Sequence, residues 1–319
     1  MNSLHPPDRL SAGTRFPALI LGSAMWGWNT PKDTAFALLD EWYAHGFRAV
    51  DAATNYPINK RPSDFRMSEK ILLEWIHAHG ICDLEVIMKI GSVDNLFTPD
   101  HILTKSFMLM MLDEYQYLFK NNLQTLMVHW DNRADAEEVN ETFEAFVVAK
   151  SKGLKLGLSG IRHPEIYADL NKKFNLDFSI QIKHNVLYSD YQRYVLFHGS
   201  PRFITYGVNA GGLKLDAEKY TEHSTLKTRG GDIENEPPVL RKIRQVITDF
   251  NAGKNKLPIT DFYQVGMINA FYHTDVQGIL IGVTKVEQLR QNLRFYRTLQ
   301  EMDYSEVYVG INNNSGCDE

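Results

Sequence analysis

Eight short apolar runs, each trailed by a longer amphipathic stretch, recur along most of this 319-residue chain. The runs are Ala18–Leu21, Phe47–Asp51, Glu85–Lys89, Leu123–His129, Lys155–Ser159, Phe178–Lys183, Phe203–Gly207 and Gly278–Gly282. Helical spacing of apolar residues follows in Lys32–His45, Ser68–His79, Pro99–Asn121, Ala136–Lys152, Pro164–Lys173, Asp190–His198, the longer region Pro237–Tyr272 and Lys285–Gln300. Pro99 and Pro164 stand where a first helical turn tolerates proline. Strands spaced by helices form right-handed crossovers and a parallel sheet. Eight such units predict an α/β fold, a single (β/α)8 TIM barrel spanning residues 1–319, with a site built from the loops after the strands. A doubly wound open sheet would carry Gly-x-Gly-x-x-Gly after its first strand. Here that place reads Gly22-Ser23-Ala24-Met25-Trp26-Gly27-Trp28, which favours the barrel.

Two long loops interrupt the rhythm: Pro57–Met67 after the second strand and Gly211–Glu236 after the seventh, the latter containing Arg229-Gly230-Gly231. Loops this long in a compact fold are lids or are disordered. Residues 301–319 read as a peripheral tail, frayed over Asn312–Gly316. A net charge of −5 with scattered basic residues argues against nucleic acid as a partner. The apolar runs are far shorter than a membrane helix needs, and Met1–Phe16 lacks the apolar centre of a secretory signal. Cys82 and Cys317 are too few for a disulfide framework or a cysteine zinc site. A cytoplasmic protein is the expectation, with its oligomeric state left open.

Four residues then stand out by position. Asp51 closes the second run and Tyr56 follows five residues later, Lys89 closes the third, and His129 closes the fourth. A parallel barrel would gather an acid, a phenol, an ammonium and an imidazole at one rim. An ordinary phenol, with a pKa of about 10, is a poor proton shuttle near neutrality. A neighbouring ammonium favours the phenolate and lowers that value. Lys89 can supply the charge, Asp51 can orient Lys89, and Tyr56 becomes a general acid for a carbonyl oxygen that His129 helps to place. No nucleophile has a paired base, and no His, Cys and carboxylate set has metal spacing. The electron pair must come from elsewhere, and a nicotinamide hydride is the natural donor.

In these residues the chain resembles the aldo-keto reductase family, from about the first strand to Gln300. The family's Asp, Tyr, Lys and His match Asp51, Tyr56, Lys89 and His129 in order and strand position, and Leu21–Gly27 looks like the family's first strand and turn. The resemblance implies a nicotinamide site made by Ser159, Gln181 and a stacking Tyr206, with Gly160 standing where the family usually has Asn. It puts Gly282, Thr284, Gln288 and Asn292 around the adenosine phosphates and adenine, at a helix N-terminus suited to anions. Many relatives place Arg at the position of Gln288. Lys285 can substitute only as a point charge. The expected cofactor is NADP(H), with NAD(H) as the alternative.

The substrate pocket is expected to use Trp26 or Trp28, Trp130 and Tyr188 as aromatic walls. Lys60, Arg61, Arg66, Lys183 and His184 would add positive charge suited to a phosphorylated or nucleotide-linked sugar. The expected activity is NADPH-dependent reduction of an aldehyde, ketone or keto-sugar. Two other readings stay open: a catalytically weak NADPH-binding regulatory subunit of the same fold, and a lyase using Lys89 as a Schiff-base amine.

Overall fold

A computed structural model describes residues 15–200, 202–222, 224–228, 237–253 and 256–313. Arg229-Gly230-Gly231, Cys317 and the segment 314–316 lie outside them. The strands are β1 (Ala18–Gly22), β2 (Ala49–Ala53), β3 (Glu85–Ile90), β4 (Leu123–His129), β5 (Lys155–Ser159), β6 (Phe178–Asn185), the two-residue β7 (Tyr188–Ser189), β8 (Phe203–Tyr206) and β9 (Val276–Ile281). The helices are α1 (Lys32–Ala44), α2 (Met67–His79), α3 (Lys105–Phe119), α4 (Ala136–Ser151), α5 (Pro164–Phe174), α6 (Thr225–Thr228), α7 (Val239–Asn251), α8 (Phe262–Phe271), α9 (Val286–Glu301) and α10 (Ser305–Asn312). Eight parallel strands pair in the order β5-β4-β3-β2-β1-β9-β8-β6, and pairing of β5 with β6 closes the ring. β7 adds only an antiparallel hairpin to the end of β6. The predicted (β/α)8 barrel is therefore the observed fold.

Two apolar layers account for its stability. Strand residues facing outward join the buried faces of the helices in one continuous core that includes Trp42, Trp75, Phe143, Phe178, Phe271 and Tyr304. Inside the barrel a smaller cluster of Ile20, Ile87, Met127 and Ile204 fills the floor beneath the site. Gly157 makes room for that filling, because a Cβ there would lie 2.2 Å from the end of Met127. Filling the floor with side chains leaves only the C-terminal mouth for ligands.

Several boundaries differ from the sequence reading. β2 begins at Ala49, because Gly46 turns the chain at φ 85 and Phe47 stacks on Trp42 at 4.7 Å instead of entering the strand. Asp51 thus sits mid-strand, and Lys89 is followed by one more strand residue, Ile90. α3 starts six residues after Pro99, at Lys105, capped by Thr104, whose hydroxyl accepts from the Phe107 amide. The long region Pro237–Tyr272 is two helices, the second opened by a capping box between Asp261 and Gln264. Asp190–His198 is a 3-10 segment over Tyr191–Phe197. The tail is a correction as well. Residues 305–312 form α10, which buries Val307, Tyr308 and Ile311 against the barrel's helices and is not peripheral.

Candidate active site

Strand register explains which side chains become neighbours. His129 lies level with Ser159 across β4 and β5, and Ser159 lies level with Gln181 across β5 and β6. On the other side Ala53 is level with Lys89, and Gly22 with Asp51. Each pairing sits near the C-terminal end of its strand, so the side chains converge at one mouth. The turn carrying Tyr56 is fixed by the Thr54 amide donating to the Lys89 carbonyl at 3.0 Å and the Tyr56 amide to Ala53 at 3.2 Å. Asn95 then holds the following loop, donating to the carbonyls of Pro57 at 3.1 Å and Arg61 at 2.7 Å.

The four residues singled out from the sequence do meet. Lys89 is wholly enclosed and pairs with the buried carboxylate of Asp51. The other Asp51 oxygen accepts from Gln181 Nε2 at 2.5 Å. Asp51 therefore bridges a lysine and a glutamine that are far apart in sequence. Lys89 Nζ lies 4.8 Å from the centre of the Tyr56 ring, and that ring meets the His129 ring edge-on at 5.9 Å. Burial pushes the Lys89 ammonium below the usual lysine range, while the Asp51 carboxylate opposes the shift. Burial, reinforced by the charge of Lys89, pushes His129 well below an ordinary imidazole. His129 is thus neutral at pH 7, and its buried Nδ1 has no partner among the described residues.

A cleft of about 470 Å³ opens above this group. Asp51, Tyr56, His129, Trp130, Ser159, Gln181 and Tyr206 line one part, and Gly282, Thr284, Gln288 and Asn292 line another. Lys89 stays beneath the surface. At the second part α9 presents its first turn without a side-chain cap. Thr284 there donates its amide to Gln288 Oε1 at 3.1 Å, and Asn292 Nδ2 donates to the Gln288 carbonyl at 2.7 Å. Lys285 and Gln291 also line the cleft, whereas Arg290 is turned away into an ion pair with Glu41. Asn209 faces the cleft with a buried Oδ1 that has no partner among the described residues. An elongated cleft with amide and hydroxyl groups at one end and an open helix N-terminus at the other fits a dinucleotide. Among the described residues no set of His, Cys, Asp and Glu is placed to hold a metal ion, and no helix is long and apolar enough to cross a membrane.

The expected aromatic walls need correction. Trp26 is fully buried in the outer core, because the turn after β1 folds it inward to bridge with Thr30. Trp28 does not line the cleft either, and Tyr188 is exposed on the β7 hairpin beneath the Lys183 ammonium. Trp130 alone of that set remains, stacked on Phe97 at 5.9 Å. The supposed cationic loop is mostly committed elsewhere. Arg66 pairs with Glu69 and Glu114, Lys60 lies over the Phe97 ring, and burial pushes His184 down to about 3. Missed by the sequence reading were Met25 and Ile58, and the loop residues Asn209, Gly212 and Lys214. Lys219 was also missed, and its pairing with Asp261 at 3.1 Å spans the edge of the cleft. The length of the loop after the seventh strand was the signal for the latter group.

One consequence of the enclosed imidazole concerns stability. The folded state holds His129 neutral, while the unfolded chain takes up a proton near pH 6.5, so more protons are bound on unfolding below that pH. The stability is present above the unfolded value and is lost as pH falls below it. From pH 7 to pH 5 this single group is expected to remove up to about 2 kcal/mol of unfolding free energy, the limit set by protonation of the unfolded imidazole. Denaturant melts at the two pH values check this, since His129→Gln should flatten the dependence by that amount.

A sequence profile of the Aldo/keto reductase family matches residues 18–308. "Putative aryl-alcohol dehydrogenase AAD14" of Saccharomyces cerevisiae is 26% identical over 337 residues, covering 94% of this chain and 85% of that protein. Norsolorinic acid reductase stcV of Emericella nidulans is 32% identical over 164 residues, covering 46% of this chain and 40% of that protein. The family is one of oxidoreductases that generally use NAD(P)H. With the profile match extending from β1 into α10, the chain belongs to the aldo/keto reductase family.

Proposed function

We propose that this chain reduces an aldehyde or ketone to the alcohol with NADPH, and that Tyr56 is the proton donor. The observation that carries the reading is the Asp51 carboxylate joining Lys89 to Gln181 directly beneath Tyr56 and His129 at the cleft floor. Ser159 and Gln181 would receive the nicotinamide carboxamide, Tyr206 its ring, and the α9 N-terminus with Gly282, Thr284, Gln288 and Asn292 the phosphates and adenine. When bound, the nicotinamide supplies a hydride to the carbonyl carbon. Tyr56 gives its phenolic proton to the carbonyl oxygen, so the C=O π bond opens to C–H and O–H. The nearby Lys89 ammonium stabilises the phenolate left behind, and Asp51 keeps that ammonium in place. His129, neutral and with only Nε2 open to the cleft, hydrogen-bonds the carbonyl oxygen and orients it.

Lys285 is the cation on the cleft wall near α9 and supports NADPH over NADH as a point contact to a 2′-phosphate. The substrate side is walled by Trp130 with Met25 and Ile58 nearby, and Phe97 backs the indole. That lining suits an aromatic or apolar carbonyl better than a charged sugar, in keeping with the aryl-alcohol dehydrogenase name of one relative. An exposed, unpaired Cys82 fits a reducing cytoplasm. Calorimetric titration with NADPH and NADH, followed by a panel of aromatic, aliphatic and keto-sugar carbonyls, tests the reading. Micromolar binding of NADPH and its oxidation with an aromatic aldehyde or ketone is expected. Tight binding without any turnover would favour a regulatory subunit.

A further inference from the structure

Gly160, directly after Ser159 at the end of β5, has φ 67, a left-handed conformation. A Cβ built on it would lie 2.5 Å from Cδ1 and 3.3 Å from Nε1 of Trp130. The pyrrole edge of the indole therefore fills the space that a side chain at 160 would take. The backbone puts it there. Trp130 itself has φ 61, folding the chain back after His129, and its amide donates to the Ser159 carbonyl at 2.9 Å. Phe97 stacks on the outer side of the ring, so the indole is clamped across the end of β5.

The indole Nε1–H is a donor with no acceptor function, and half-buried indoles normally find a partner for it. Among the described residues Trp75 does so with Asp40 at 2.8 Å while the core indoles of Trp26 and Trp42 do not, and Trp130 differs from those two because it lines the ligand cleft. Its cleft neighbours define what is missing. Gln181 directs one Nε2 hydrogen to Asp51, and its Oε1 accepts from the Ser159 hydroxyl at 3.5 Å, a long bond that a bound ligand can replace on both sides. A carboxamide brings N–H donors for that oxygen and a carbonyl with two lone pairs. Ser159 Oγ–H, turned from Gln181 to the ligand, can satisfy one lone pair, and the other is open to a second donor.

We propose that the Trp130 indole N–H is this second donor, holding the nicotinamide carboxamide from the position that Gly160 leaves vacant. Trp130 then belongs to the cofactor end of the cleft as well as to the substrate wall. This rests on the nicotinamide reading of the site given above. The test uses the full chain and Trp130→Phe, which keeps the ring over Gly160 and against Phe97 but removes the N–H. Each is titrated by calorimetry with whichever of NADPH and NADH the unaltered chain binds, and with the matching half-molecule, adenosine 2′,5′-diphosphate or ADP. Removing one neutral hydrogen bond should weaken the whole nucleotide roughly three- to tenfold and leave the half-molecule unchanged. Gly160→Ala, whose Cβ must displace the indole, should show the same selective loss. Unchanged affinity of Trp130→Phe for the whole nucleotide, or an equal loss for both probes, overturns the inference while leaving the proposed function standing. Failure of the unaltered chain to bind either nucleotide overturns both.

Discussion

Tyr56→Phe is expected to cut turnover of any accepted carbonyl by about 10²- to 10⁴-fold, the range for loss of a positioned proton donor. The change removes one oxygen and keeps the ring that packs edge-on to His129. Affinity for the nucleotide should stay within about twofold, because the phenol acts on the substrate oxygen and not on the cofactor's binding contacts. The melting temperature should hardly move. Steady-state kinetics paired with calorimetry distinguish this from general damage, since a variant that lost binding and turnover together would point to a disturbed cleft. Undiminished turnover would remove Tyr56 from the mechanism.

Lys89→Met is the second large effect, and it reads stability as well as chemistry. The substitution leaves the Asp51 carboxylate enclosed without its cation, with Gln181 as its other side-chain partner. Removing one partner of a buried ion pair costs about 3–5 kcal/mol. The expected drop in melting temperature is on the order of 10 °C. Turnover should fall as well, because nothing then stabilises the Tyr56 phenolate. Adding Asp51→Asn to Lys89→Met removes the stranded charge and should restore most of the stability. Activity should not return. A Lys89→Met protein as stable as the parent would show that the pair is not held as an ion pair in the folded chain.

The repeating strand and helix periods made the barrel legible, because each strand buried on both faces reads as a near-continuous apolar run and each helix as a one-sided stripe. The convergence of Asp51, Tyr56, Lys89 and His129 was legible from their places at or within a few residues of successive strand ends. What escaped was governed by partners remote in sequence. Arg66 reads as a free loop cation until Glu114, 48 residues away, is seen beside it. The Gln181 contact with Asp51 joins positions 130 residues apart. Trp26 and Trp28 look alike as aromatics in one turn, yet the turn's fold sends Trp26 into the core. Phe47 reads as strand because it is apolar, and only its stacking on Trp42 shows that it caps the preceding helix turn. The indole over Gly160 depends on two left-handed residues, which periodicity does not reveal.

The most direct measurement follows the hydride itself. The purified chain is incubated with an aromatic aldehyde and NADPH dideuterated at C4 of the nicotinamide, and the product is weighed by mass spectrometry. Carbonyl reduction at this site predicts an alcohol carrying one deuterium on the former carbonyl carbon, formed by the parent chain and not detectably by Tyr56→Phe over the same interval. A deuterium-free alcohol, equal product from Tyr56→Phe, or no oxidation of NADPH or NADH across the whole carbonyl panel would contradict the account.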